Sequence, residues 1–130
     1  FSQTPQVVAL KKIWDQAPHQ AFGDIIRFKG KWFATFREGL SHVATKQHLK
    51  DDGKLRVITS NDGETWRSVV LLEEDGVDLR DPHLSITADG RLMIVAGGSI
   101  YRDAVFMGRQ PRVAFSKDGT TWTKPAKILE

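Results

Sequence analysis

Short apolar runs separated by polar turns form the main pattern of this chain, and no long stretch has a helical period. Several runs are apolar on both sides, as in Trp32-Phe33 and Met93-Ile94, which favours a sheet that is covered on both faces. The pattern predicts strands at 6–14, 24–28, 31–36, 54–59, 67–72, 83–87, 91–96, 111–115 and 123–129. Long polar loops are predicted at 37–52 and 97–110.

One seven-residue pattern, Ser-x-Asp-Gly-x-Thr-Trp, occurs twice, at 60–66 and 116–122, and an Arg-Val pair precedes both copies at the same distance. Asp-Gly between two strand-like runs predicts a tight hairpin turn, because glycine accepts positive φ. The Asp carboxylate and Ser hydroxyl can bind loop N–H groups, and the Trp ring can cover the loop. We therefore predict structural roles for Ser60, Asp62, Gly63, Trp66, Ser116, Asp118, Gly119 and Trp122.

A repeat at a fixed period predicts that each copy is one supersecondary unit. The chain then divides into a leading strand at 1–16 that completes a blade, a four-stranded blade at 17–72 and a second at 73–130. This predicts an all-β fold made of two four-stranded antiparallel propeller blades. Propellers have typically four to eight blades, so the expectation is either a fragment of a longer chain or a ring that is completed by association.

The two heptads resemble the Asp-box of the sialidase-like (BNR-repeat) β-propellers, with one residue fewer between Asp and Trp than the longer family pattern. Segments 79–85 and 35–39 also resemble bacterial exo-sialidase-like proteins. The resemblance implies a six-bladed propeller, a substrate cleft opposite the Asp-boxes and glycoside hydrolysis. Where the family has the first arginine of its carboxylate-binding cluster, this chain has none in 21–25, and the position of the family's acid/base Asp falls near His42.

Candidate functional residues follow the predicted strand ends opposite the heptads, since function concentrates on loops held by a rigid scaffold. Carboxyl groups can act as acid and base in glycoside cleavage, and guanidinium groups can grip carboxylates or hydroxyls. The catalytic candidates are Glu38, Asp81 and Asp24, and the substrate-binding candidates are Arg37, His42, Arg80, His83, Tyr101 and Arg102. Structural alternatives remain: Asp81 as a strand cap, Glu38 as an ion-pair partner and Tyr101 as an ordinary loop residue.

The net charge of +3 is scattered along the chain, which argues against nucleic acid as a partner, and no apolar run reaches the length of a membrane span. The absence of cysteine excludes disulfides and thiolate metal sites, and neither a metal nor another cofactor is predicted. The expected partners are carbohydrate and either two further copies, which would complete a homotrimer, or the missing blades of a longer chain. Two functions stay open: a glycoside hydrolase, and a non-catalytic carbohydrate-binding or self-assembling module.

Overall fold

The protein, seen in a computed structural model that describes residues 2–42 and 53–129, consists of two four-stranded antiparallel sheets. The first sheet contains β1 (His19–Phe28), β2 (Lys31–Gly39), β3 (Lys54–Ser60) and β4 (Arg67–Leu72). The second contains β5 (Asp78–Ile86), β6 (Leu92–Arg102), β7 (Val105–Ser116) and β8 (Ala126–Lys127). Strands pair in chain order, and the described residues contain no helix. The predicted all-β class with two four-stranded antiparallel units is confirmed.

The two sheets share one apolar core. Strand β5 of the second sheet contacts β1, β2 and β3 of the first, and the buried apolar side chains of both sheets form a single cluster: Phe28, Phe33, Leu55, Val57, Leu72, Val77, Leu79, Leu84, Leu92, Ile94, Ala96 and Ala114. Because burial of apolar surface is the main favourable term in folding, the sheets stabilise each other.

Several predicted elements differ from the observed ones, among them β1, which begins at His19 and not at residue 24. The strand predicted at 6–14 is not formed: the described residues before His19 belong to no strand, and Lys11 and Trp14 bind Glu64 and Glu38 through their side chains instead of a ladder. That this segment completes a blade stays a prediction. Of the predicted loop 37–52, residues 43–52 lie outside the described residues.

The predicted loop 97–110 is a hairpin of β6 and β7 that turns at Asp103 and Ala104, both with positive φ. Two such residues fit a type I′ turn, but Asp-Ala lacks the glycine that makes this turn recognisable in a sequence. Strand β5 also begins at Asp78, before the predicted start at residue 83, so that Arg80 and Asp81 are strand residues. The last predicted strand, 123–129, is reduced to Ala126–Lys127.

The two heptads form the same closed turn. In the first, Ser60 Oγ accepts from the N–H of Gly63 at 2.8 Å, and Asp62 Oδ1 accepts from the N–H groups of Glu64 at 2.8 Å and Thr65 at 2.9 Å. Trp66 Nε1 donates to the Gly63 carbonyl at 3.1 Å. The corresponding bonds recur in the second turn, from Ser116 to Trp122. The predicted hydrogen bonding of the heptads is therefore present in both copies.

The carboxylate of Asp62 contributes to stability in a way that depends on pH. The N–H groups of Thr65 and Glu64, with the Ser60 hydroxyl, lower its pKa from 3.8 to about 2. A lowered folded-state pKa means that the contribution is present above the ordinary pKa and is lost as the pH falls through the folded one. We expect Asp62→Asn to melt several degrees below the wild type at pH 7, and this gap to close between pH 4 and pH 2.

Melting curves by circular dichroism at a series of pH values would measure this gap. The control is Asp75→Asn, which changes an exposed loop carboxylate and should melt with the wild type at neutral pH. A gap for Asp62→Asn that stays constant down to pH 2 would show that the carboxylate charge does not stabilise the turn.

Candidate functional site

The predicted site residues of β2 and β5 lie away from the repeated turns. In the first sheet Trp32 pairs with Ser60 beside a repeated turn, whereas Glu38 pairs with Lys54 at the other end. In the second sheet Leu92 pairs with Ser116 beside a turn, whereas Arg80 pairs with Gly97 towards the other end. We call this second end of both sheets the far end. The strand order thus places these residues at the end that the sequence indicated.

Two equivalent bulges interrupt the inner strands β1 and β5. The pairing register shifts between Ala21 and Asp24 in β1 and between Arg80 and His83 in β5. Each bulge holds a non-glycine residue in the left-handed region, Phe22 with φ 54° and Asp81 with φ 48°. Both residues are exposed. Bulges re-aim side chains and often occur beside active sites. These two positions are therefore the first candidates for a functional role at the far end.

The inner strands meet at the level of these bulges. Asp24 of β1 accepts a hydrogen bond from the N–H of Leu84 on β5, from N to Oδ2 at 2.8 Å, and another from Ile25 N at 2.9 Å. His83 Nδ1 lies 3.8 Å from Asp24 Oδ2, and its side chain is 78% exposed. Two predicted site residues, Asp24 and His83, therefore lie together. We call Phe22, Asp24, Asp81 and His83 the inner-strand site.

Among the described residues, the Asp81 carboxylate has no hydrogen-bond or ion-pair partner and remains exposed. The neighbouring Arg80 points the other way, into the protein, where its Nε donates to Asp78 Oδ2 at 2.7 Å. The bulge explains the contrast, since the left-handed backbone at Asp81 interrupts the regular strand and re-aims its side chain. Asp81 is consequently the freest carboxylate of the inner-strand site.

Arg37 and Arg80 belong to a buried ionic network that joins the two sheets. Asp78 Oδ1 accepts from Arg37 Nε at 3.0 Å and from Gly53 N at 2.8 Å, both in the first sheet or at its edge. Arg37 and Asp78 are almost completely buried. Arg37 Nη2 lies 2.9 Å from Asp78 Oδ1 as an ion pair without hydrogen-bond geometry, and Arg80 Nη2 is buried without an acceptor among the described residues. These contacts are structural.

Glu38 is engaged on the opposite face of β2. Its Oε1 accepts from Arg56 Nε at 3.0 Å and from Trp14 Nε1 at 2.8 Å, and its Oε2 accepts from Arg56 Nη2 at 3.0 Å. Arg112 of the second sheet makes a similar fork with Glu74, at 2.6 Å from Nε to Oε2. Glu38 thus has the ion-pair contacts of the structural alternative, although with Arg56 and not with Arg37.

The remaining candidates are divided between two places. The His42 ring centroid lies 5.9 Å from that of Phe22 and 5.5 Å from that of His19, so His42 borders the inner-strand site. Tyr101 and Arg102 stand at the tip of the β6–β7 hairpin, where the Tyr101 ring packs edge-on against Phe106 at 5.7 Å. The substrate-binding roles of these residues stay predictions.

Sequence reasoning overlooked Asp78, Glu74 and Phe22. Asp78 and Glu74 act through contacts with Arg37 and Arg112, which are far away in sequence, and spacing gives no signal for such pairs. Phe22 lies between the strands predicted at 6–14 and 24–28, where no site residue is predicted. The match between its position and that of Asp81 appears only when the two bulges are aligned by strand register.

The residues described here include no group of three or more His, Cys, Asp or Glu side chains arranged to hold a metal ion. Among them, too, no helix has the length and hydropathy needed to cross a membrane.

No protein-family model matches the sequence, and no curated protein matches it either. Solved structures do match. A protein of unknown function from Dyadobacter fermentans aligns with a TM-score of 0.59 at 24% identity, over 83% of this chain and 36% of that one. A candidate glycoside hydrolase from Parabacteroides distasonis aligns with a TM-score of 0.53 at 20% identity, over 81% and 31%.

A third structure comes from the GH130 family of mannoside phosphorylases, which contains glycoside hydrolases that target β-1,2-mannosidic linkages in Candida mannan. It aligns with a TM-score of 0.52 at 18% identity, over 83% of this chain and 31% of that one. At these identities the likeness concerns the fold: the two sheets are blades of the propeller type. The chain spans about a third of the length of the structures it matches.

Proposed function

We propose that this chain forms two blades of a sialidase-like propeller that hydrolyses glycosidic bonds in glycans, and that the inner-strand site is their contribution to the cleft. The observation that carries the proposal is the pair of equivalent left-handed bulges. They hold Asp81 and Phe22 towards solvent at the level where Asp24 and His83 meet. Backbone strain of this kind persists where the surroundings enforce it and is concentrated at functional sites.

In this proposal Asp81 is the catalytic carboxylate. It is exposed and free of protein partners among the described residues, so that a glycosidic oxygen can come within hydrogen-bond reach of it. Asp24 supplies the second carboxyl group of the pair that glycoside cleavage uses. His83 lies beside Asp24 and binds substrate hydroxyls, while His42 flanks Phe22.

Support for a larger ring comes from the length of this chain compared with the lengths of the matching structures. Two blades fill most of this chain, and the chain spans 30–36% of the matching structures, which agrees with two blades out of six. The six blades belong either to one longer chain or to three copies of this one. The homotrimer stays a prediction, as does the identification of the repeated turns as Asp-boxes.

A second candidate function is a non-catalytic carbohydrate-binding or self-assembling module. It is favoured by the contacts of two catalytic candidates: Arg56 and Trp14 engage both oxygens of Glu38, and the N–H groups of Ile25 and Leu84 engage both oxygens of Asp24. The exposed apolar side chains Val7, Val8 and Leu10 also offer a surface for association.

The Asp81→Asn variant tests the proposal. Asparagine tolerates positive φ, so the variant keeps the fold and removes only the acid. The assay measures fluorescence release from a panel of 4-methylumbelliferyl glycosides that includes the α-sialoside, β-mannoside and β-galactoside. Wild type should hydrolyse at least one of them, and the variant should be slower by about 100-fold or more.

Asp103→Asn is the matched control, because Asp103 is also exposed and has φ 50°, but stands at the hairpin tip. It should hydrolyse the same glycoside at the wild-type rate. Sugar binding without hydrolysis, weakened by Asp81→Asn, would favour the binding module. Wild type that neither hydrolyses nor binds any member of the panel would contradict both glycoside hydrolysis and carbohydrate binding.

A further inference from the structure

We infer that Phe22 is an aromatic platform on which a neutral pyranose ring stacks beside Asp81. The inference rests on the proposed function, since it requires a glycan ligand. It adds a subsite and a chemical class to that function. The platform would bind the apolar C–H face of an uncharged sugar unit, next to the carboxylate that acts on it.

The backbone at Phe22 does not favour phenylalanine. A bulky residue with φ 54° is a conformational outlier, and glycine, asparagine or aspartate would occupy this bulge at lower cost. The equivalent bulge of β5 does carry an aspartate, Asp81. The bulge alone therefore does not explain the aromatic side chain.

Burial does not explain it either. Phe22 is 53% exposed and is not part of the apolar core, whereas Phe28 and Phe33, on the same hairpin, are buried in that core. A large ring that is held in a costly conformation and is also left half exposed stabilises the fold little. Strained residues persist at sites where strain is part of function.

Neighbouring side chains hold the ring in place. The His42 ring lies 5.9 Å from Phe22, tilted by 48°, and 5.5 Å from the His19 ring. His19 Nδ1 lies 3.3 Å from Arg37 Nη1, and Arg37 is fixed by its buried contacts with Asp78. A platform supported in this way loses little freedom on binding, which favours affinity.

The chemistry of the surface fits a sugar. An aromatic ring presents an electron-rich face that attracts C–H groups, and pockets for small ligands combine aromatic surface with few polar groups that fix orientation. Here the polar groups are Asp81, Asp24 and His83 of the same site. Because the carboxylates of Asp81 and Asp24 repel an anionic sugar, the stacked unit is a neutral pyranose whose hydroxyl groups face these carboxylates.

The test uses the 130-residue chain with three probes: methyl α-D-mannopyranoside, methyl β-D-galactopyranoside and N-acetylneuraminic acid. Saturation-transfer NMR measures which probe protons contact the protein, and titration gives the dissociation constant. We expect one neutral methyl glycoside to bind wild type through its C–H face. Phe22→Asn should weaken this binding about tenfold or more, whereas Phe22→Tyr, which keeps an aromatic ring, should bind as the wild type does.

Thermal melting separates this role from a structural one. Since asparagine suits the left-handed backbone, Phe22→Asn should melt at or above the wild-type temperature while it loses sugar binding. Phe106→Asn is the matched control: Phe106 is also 53% exposed, but it lies at the tip of the β6–β7 hairpin, and this variant should bind sugar normally.

Each contrary outcome is distinct. Sugar binding that is weakened by Asp81→Asn but unchanged in Phe22→Asn would overturn the platform and leave the proposed function standing. Unchanged sugar binding with a reduced mass in light scattering would make Phe22 a contact between copies and would also overturn it. A wild-type chain that binds none of the three probes would overturn the platform together with the proposed function.

Discussion

Replacement of Asp78 by alanine should lower the free energy of unfolding by about 3–5 kcal/mol, the cost of leaving buried charges without their partner. Asp78 is the shared acceptor of Arg37 and Arg80, and all three side chains are at least nine-tenths buried. Without the carboxylate, two guanidinium groups would stay in the interior with no counter-charge from this network. The N–H of Gly53 would lose its acceptor as well.

Denaturant unfolding followed by tryptophan fluorescence would measure this change. The control is Asp75→Ala in the preceding loop, where the carboxylate is exposed and the expected change is within about 0.5 kcal/mol. If the two variants unfold at the same denaturant concentration, the buried network does not hold the sheets together.

Replacement of Gly119 by alanine should destabilise the protein much more than the same change at Gly63. Both glycines occupy the same position of a repeated turn and have positive φ, 85° and 76°, so both variants carry the cost of a left-handed alanine, about 1–2 kcal/mol. A Cβ at Gly119 would also lie 2.6 Å from Cε1 of Phe33 in the first sheet, and nearer still to its Cζ. Such overpacking adds about 1–3 kcal/mol.

At Gly63 the nearest atom to an added Cβ is Trp32 Nε1 at 3.7 Å, which is an ordinary contact. The difference between the two variants in equilibrium unfolding therefore reports the packing of the second turn on the first sheet. A Phe33→Leu background provides the control, since the smaller side chain should bring the two values closer together. Equal destabilisation in the wild-type background would show that the second turn does not pack on Phe33.

The sequence predicted the features that depend on local chemistry. Asp-Gly turns, alternating apolar runs and the heptad repeat led to the two sheets and to the hydrogen bonds of Asp62 and Asp118. Features that depend on distant partners were not predictable. Arg56 becomes the partner of Glu38 through the pairing of β2 with β3 inside the first sheet, and Asp78 becomes the partner of Arg37 through the packing of the two sheets.

The strand boundaries show the same division. The hairpin of β6 and β7 was missed because its turn has no glycine and its polar residues resemble a loop. It is held by side chains such as Arg109, whose Nε donates to Ser99 Oγ at 2.9 Å. The bulges that define the candidate site are visible only in the pairing register, since the residues that flank Phe22 and those that flank Asp81 share no sequence pattern.

The buried pair of Arg37 and Asp78 makes the order of the blades matter. By strand register, the second-blade equivalent of Arg37 is Gly97, and the first-blade equivalent of Asp78 is His19. In a ring built from copies of this chain, a glycine would thus meet a histidine at each junction between chains, where the junction within a chain has an ion pair. Such a ring would alternate between two kinds of blade interface. It would dissociate at the interfaces between chains before the two blades of any one chain separated.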